Sequence, residues 1–240
     1  MAVTIQLFRR ATQWPKKAPG AQFGTIQIAF SGVESYQIAI AVRKLVGVWE
    51  RGEIGPDMIR NTPSSWGSLA RAFHWGLGIT IFGMIAYGWW MNHFPARPDR
   101  FFHRSIHADI GYLVLLLTVL RLVWRGINPT PALPSDTTRW QRIAARVSHG
   151  ALYAVTILVA MLGWAHSGSR TPNYSDWFGL FHVPQITSPD KAAADAYEDR
   201  HIFFAYVLLA LIVLHLAAAL WHHFIKRDRV TARMVDGAAG

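Results

Sequence analysis

Three stretches of the chain are apolar on every side a helix could present. Residues 72–96, which include AFHWGLGITIFGMIAYGWWMNHF, carry no Asp, Glu, Lys or Arg. Residues 147–169 (VSHGALYAVTILVAMLGWAHSGS) and 201–225 (HIFFAYVLLALIVLHLAAALWHHFI) are likewise uncharged. A fourth stretch, 105–124, has the uncharged centre IGYLVLLLTVL between Asp109 and Arg121. A bilayer core of about 30 Å takes roughly 20 apolar helical residues. Three stretches meet that outright, and the fourth does so with its charges near the ends. Buried helices of a soluble protein seldom run past about 20 residues without one charged position. Trp66, Trp75, Trp89, Trp90, Trp124, Trp164 and Trp221 fall at or near the ends of these runs, where interfacial tryptophans collect. The pattern predicts an all-α membrane protein with four transmembrane helices.

The remainder of the chain reads differently. Residues 1–62 hold basic pairs (Arg9-Arg10, Lys16-Lys17, Arg43-Lys44) and strand-like fragments such as Ile26 to Phe30, with no run able to span a bilayer and no signal-peptide pattern. The segment NPTPALPS, 128–135, is a proline-rich turn between the second and third spans. No internal repeat and no nucleotide-loop, nucleophile-elbow or HExxH motif is present.

Composition sharpens the picture. Charged residues make up 16% of the 240, against roughly 25% in ordinary soluble domains, and 52% are hydrophobic. With no Cys, disulfides, thiolate zinc sites, iron–sulfur clusters and thiol nucleophiles are excluded. The net charge of +10 invites a nucleic-acid reading until its distribution is counted. Of 24 Lys and Arg, 18 lie before the first span, between the second and third, or after the fourth; six lie in the other two connections. The charge is therefore a topology signal, with both termini expected in the cytoplasm and no nucleic-acid partner.

Histidines supply the chemistry. Eight of the 11 lie in or at the ends of the expected spans: His74, His93, His107, His149, His166, His201, His215 and His222. An ionisable group at membrane depth is a functional candidate, although any single one can equally be an interfacial or hydrogen-bonded side chain. Spacing separates four from the rest. His201 and His215 stand 14 residues apart, on one helix face within about 40° and roughly 21 Å apart in depth. His74 opens the first span and His107 the second, so depth pairs His74 with His215 and His107 with His201. Two histidines at one depth on facing helices are what bis-imidazole haem ligation requires. Residue i+4 is small after each of the four: Gly78, Gly111, Ala205 and Ala219. After His149, His166, His182 and His222 it is Tyr153, Arg170, Ile186 and Lys226. Non-haem metal is the weaker reading, because no carboxylate lies deep in a span to complete a coordination shell.

The segments Ala72-Phe73-His74-Trp75, Ser105 to Gly111 (SIHADIG), Leu120 to Arg125 (LRLVWR) with the following NPTP, and His215 to Asp228 (HLAAALWHHFIKRD) resemble the bacterial cytochrome b561 family of the inner membrane. The likeness spans about residues 66–235 and leaves the first 60 or so without a counterpart. It implies a four-helix transmembrane domain over 63–235 carrying two b haems, with His74, His107, His201 and His215 as iron ligands. It also implies oxidation of superoxide at the periplasmic face and reduction of ubiquinone. Met58 precedes the resemblance, and a chain from there would be close to the family's length; residues 1–62 are expected to stand outside the working protein.

Further expectations follow. His222, seven residues past His215 on the same face and about 10 Å nearer the cytoplasm, is a quinone contact or, with His223, an interfacial pair beside Lys226 and Arg227. Arg121 and Arg125 end the second span and serve haem propionates or positive-inside topology. Arg97, Arg100 and Arg104 precede His107 and suit local steering of an anion, while the other outer loop mixes Asp176, Asp190, Asp195, Glu198 and Asp199 with Arg170, Lys191 and Arg200. Two other functions compete: a haem-b anchor subunit passing electrons from a hydrogenase or dehydrogenase to quinone, and a non-redox membrane transporter.

Overall fold

A computed structural model describes residues 2–7, 24–29, 59–94, 97–170 and 176–237. The chain forms two units, Met1–Gly55 and Pro56–Gly240. In the first, strands β1 (Ala2–Leu7) and β2 (Gly24–Ala29) pair antiparallel, with Ala2 opposite Ala29 and Leu7 opposite Gly24. The second strand covers most of the strand-like fragment read from the sequence.

The second unit is helical. Four long helices follow in order: α1 (Ser68–His93), α2 (Arg97–Ile127), α3 (Arg139–Ser169) and α4 (Lys191–Leu220), which continues as a π-helical turn, Trp221–Lys226. All four are long and apolar enough to cross a membrane. α2, α3 and α4 with its π-helical turn outrun their apolar stretches, because polar residues beyond the hydrocarbon still propagate a helix, whereas α1 starts four residues early and stops at His93, two residues before Pro95. Capping fixes the starts. Thr138 accepts from the Gln141 N–H at 3.3 Å and the Gln141 side chain accepts from the Thr138 N–H at 2.9 Å, a reciprocal capping box for α3. Asp190 accepts from the Ala193 N–H at 3.0 Å to start α4. Before α1, Asn61 accepts from the Gly67 N–H, and a Cβ at Gly67 would run into the Ile59 and Arg60 backbone, so only glycine passes there.

Helices α3 and α4 pack most extensively, then α1 with α2 and α2 with α3, an up-and-down bundle of neighbours. Its interior is small and partly polar: Thr118, Thr156 and Ser167 are buried beside Leu77, Val114 and Leu208. Thr118 donates to the Val114 carbonyl one turn back. Its exterior is apolar, with Ile79, Phe203, Val213 and Leu216 exposed. Small or polar side chains inside and large apolar ones outside suit a bundle whose solvent is lipid.

Each end of the bundle is laced. At one end, Ala132 N–H donates to the Pro63 carbonyl, Asn61 to Pro129, Trp75 to Met234, and Arg233 to Ala132 and Ser64. The start of α1, the proline-rich connection and a short α5 (Ala232–Val235) thus share that end. At the other, strands β3 (Asp176–Trp177) and β4 (Phe181–His182) form a small hairpin turned by Phe178 and Gly179 at positive φ. Buried Asp109 of α2 holds it, accepting the Phe178 N–H on Oδ2 and the Trp177 indole N–H on its carbonyl, both at 3.1 Å.

Candidate haem-binding site

The long helices bring the four singled-out histidines together as two pairs. His74 of α1 faces His215 of α4, ring centres 6.0 Å apart at 65°. His107 of α2 faces His201 of α4, ring centres 6.0 Å apart at 78°. Imidazoles sharing one metal ion through nitrogens at about 2 Å have ring centres roughly 6 Å apart, so both pairs have the right spread. Among the described residues no group of three or more His, Cys, Asp or Glu converges on a single ion. This donor set suits a metal whose remaining positions come from a macrocycle.

The His107–His201 pair is the better defined. His201 Nδ1–H donates to the Val159 carbonyl at 2.9 Å, which fixes the tautomer and leaves the Nε2 lone pair as the ligating atom. The Nδ1 of His107 is buried without a hydrogen-bond partner, and the Tyr87 ring stacks 6.1 Å away at 26°. Between the four helices lies a mostly apolar cavity of about 200 Å³, walled in part by His107, His201, Gly88, Gly111, Gly163 and Ala205. A Cβ on Gly88 would come within 3.2 Å of the His107 ring, and one on Gly163 within 3.2 Å of the His201 ring. These glycines let each imidazole lie against a neighbouring helix. Gly78 and Gly111, the i+4 residues, have no atom within 4 Å of where a Cβ would stand. An unpaired imidazole nitrogen, glycine cradles and an apolar cavity beside the pair together fit a haem.

Arg104 reaches the same cavity, but its guanidinium is paired to Glu198 Oε1 at 2.7 Å, and His166 Nε2 lies 4.0 Å from the other Glu198 oxygen. Arg104, one of the arginines expected to steer an anion, thus has its charge met. The side chain of Arg97 lies outside the description.

The His74–His215 pair sits in a basic surrounding. Arg121 Nη2 donates to His74 Nδ1 at 3.0 Å, and its guanidinium carbon lies 5.5 Å over the Tyr153 ring. Arg125 lines a small cleft with Arg121, Trp124 and Tyr153. His149 of α3, set aside on its bulky i+4 neighbour, stands 5.4 Å from His215, closer than His74 does. Sequence spacing within one helix could not show this, since it depends on how α3 registers against α4. His222 lies in the π-helical turn, its Nδ1 2.6 Å from Asp228 Oδ2. Asp228 belongs to the HLAAALWHHFIKRD segment, yet its part became visible only when the chain turned back.

The sequence model of one protein family, described as prokaryotic cytochrome b561, matches residues 65–237. Cytochrome b561 homolog 2 of Escherichia coli strain K12 is 34% identical over 177 residues, 73% of this chain and 93% of that protein. Cytochrome b561 homolog 1 of the same strain is 28% identical over 160 residues, 66% of this chain and 88% of its own length. The probable superoxide oxidase CybB of Yersinia pestis is 28% identical over 152 residues, 62% of this chain and 84% of that protein.

Proposed function

The chain belongs to the prokaryotic cytochrome b561 family and is a membrane haem protein, and from this we propose that it carries electrons across a bacterial inner membrane from superoxide to ubiquinone. The observation that carries the reading is the pair of facing imidazoles, repeated at two levels of one bundle with the same 6.0 Å spread. A b haem bound at each supplies reversible one-electron chemistry. His107 and His201 hold the outer one, and His74 and His215 the inner one. Superoxide gives up one electron at the outer end and leaves as oxygen. Two such electrons, with two protons from the cytoplasm, convert one ubiquinone to ubiquinol.

The chain's own groups do the rest. Val159 keeps the His201 lone pair on Nε2. Arg121, which donates to His74 Nδ1, and Arg125 beside it would pair the propionates of a haem held there. His222 meets the quinone at the inner end. Residues 63–235 contain the whole path, and residues 1–62 lend it nothing. The name of the Yersinia relative supports superoxide over a docked hydrogenase or dehydrogenase as donor.

Reduced-minus-oxidised absorbance of the purified protein tests this. Two b-type haems per chain are expected, reduced by enzymatically generated superoxide and reoxidised by ubiquinone, with the same result after deletion of residues 1–57. A colourless protein sinks the reading. Haems that ubiquinol reduces but superoxide does not would make the protein an anchor for another donor.

A further inference from the structure

We propose that Asp228 is a positioning residue for the proton half of quinone reduction: it holds His222 so that the imidazolium presents Nε2–H to the reduced quinone. The inference rests on the reading of His222 as the quinone contact. It starts from how the last helix ends. The π-helical turn over Trp221–Lys226 widens the backbone spiral just where His222 sits, a device that recurs at functional sites. Arg227 then adopts the left-handed conformation (φ 54°, ψ 33°) and reverses the chain. Asp228 is thereby carried back onto His222: its N–H donates to the His222 carbonyl at 3.2 Å, and its Oδ2 accepts from His222 Nδ1–H at 2.6 Å. Both side chains are largely covered, 19% and 10% exposed.

The remaining atoms of the cluster are assigned. Asp228 Oδ1 accepts from the Val230 N–H at 3.0 Å. Lys226 Nζ lies 3.4 Å from Asp228 Oδ2 and 3.2 Å from Asp136 Oδ2 of the proline-rich connection. The Trp221 ring packs 5.0 Å from the His222 ring. Burial acts to raise the Asp228 pKa, but bonds from His222, the Val230 N–H and Lys226 outweigh it and hold the carboxyl below its usual range. Asp228 is therefore an anion at neutral pH. A carboxylate accepting from Nδ1–H orients the ring and leaves Nε2 as the free edge, the division of labour by which a carboxylate sets up a general acid.

The step balances as follows. Ubiquinone gains two electrons, one at a time from two outer donor molecules. For each electron, one carbonyl oxygen takes one proton. His222 gives its Nε2 proton, keeps its Nδ1–H on Asp228, and recovers a proton at Nε2 from water on the C-terminal side of the bundle. No covalent bond to the protein forms.

The test is ubiquinone reduction by full-length protein in vesicles, followed against pH. Asp228→Asn keeps size and an acceptor but removes the charge. It should slow ubiquinone reduction about tenfold at neutral pH and move the pH of half-maximal rate down by about one unit, with haem absorbance and reduction by the outer donor unchanged. Asp228→Glu should restore most of the rate. Lys226→Met removes the opposing cation and should move the midpoint up, so the two variants are expected to shift in opposite directions. An unchanged rate and profile in Asp228→Asn, with slow turnover in His222→Gln, overturns the proposal and leaves the quinone reading intact. Normal turnover in both Asp228→Asn and His222→Gln removes the quinone reading and this proposal with it. A loss equal at every pH, or loss of haem absorbance in Asp228→Asn with no shift in Lys226→Met, assigns Asp228 to holding the fold and overturns the proposal too.

Discussion

At the scale of single residues, the four ligand candidates are separable because they sit in two pairs that share α4. His201→Ala removes one ligand of the outer pair while His74 and His215 keep their 6.0 Å spread. The expected result is a haem-to-protein ratio falling from two to one, with the inner haem's spectrum retained, measured by pyridine haemochrome and difference absorbance. Loss of both haems, or of neither, in protein that still inserts would contradict the pairing. His149 competes with His74 for His215, standing 5.4 Å away. Under the pairing, His74→Ala loses the inner haem and His149→Ala keeps it. Spacing arithmetic along the chain found the two pairs, because residues 14 apart on α4 share a face whatever the helix packs against. It passed over His149 and Asp228, which become relevant only through neighbours on another helix or across a chain reversal. The rule that a small residue one turn on makes room for a haem chose Gly78 and Gly111. The glycines in contact with the imidazoles are Gly88 and Gly163, each on the helix opposite its histidine.

At the scale of elements, those two glycines set how closely α1 meets α2 and α3 meets α4. A Cβ at Gly163 would lie 3.2 Å from both Nδ1 and Cε1 of His201, tighter than ordinary contact. Gly163→Leu must push the imidazole off Val159 or part the helices. Overpacking of this kind costs about 1–3 kcal/mol. Gly88→Leu does the same to His107, whose buried Nδ1 has no hydrogen bond to hold the ring in place. Both variants should lose the outer haem selectively, and Gly163→Leu should also lower the thermal midpoint. Gly78→Ala, where a Cβ meets nothing within 4 Å, is the control and should leave the midpoint unchanged. Helix existence was legible in the sequence, since an uncharged run of this length admits few other structures. The π-helical turn and the hairpin held by Asp109 were not. The hairpin is held by a hydrogen bond from Phe178 to Asp109, far away in the sequence, and the π-helical turn is followed by a chain reversal that brings Asp228 to His222; no helical or strand period encodes either.

At the scale of the whole molecule, orientation decides, under the proposed function, which end would meet superoxide and which would meet cytoplasmic protons. The hydrogen bonds at one end join the segment before α1, the connection between α2 and α3, and the tail after α4. Within residues 59–237 these regions carry 11 Lys and Arg against six in the other two connections, so the basic excess of the helical unit gathers at this end. By the positive-inside rule a basic end is expected to stay in the cytoplasm during insertion, which would put the Asp228–His222 pair on the proton-supplying side and the His107–His201 pair near the periplasm. The chain has no Cys, so single introduced thiols report position without background. Ser135 in the basic connection and Ser188 in the opposite loop are both exposed. In intact spheroplasts a membrane-impermeant maleimide should label Ser188→Cys at once and Ser135→Cys only after lysis. The reverse pattern would place His222 on the periplasmic side. Ubiquinone would then draw its protons from there, and superoxide would have to reach the outer pair from the cytoplasm.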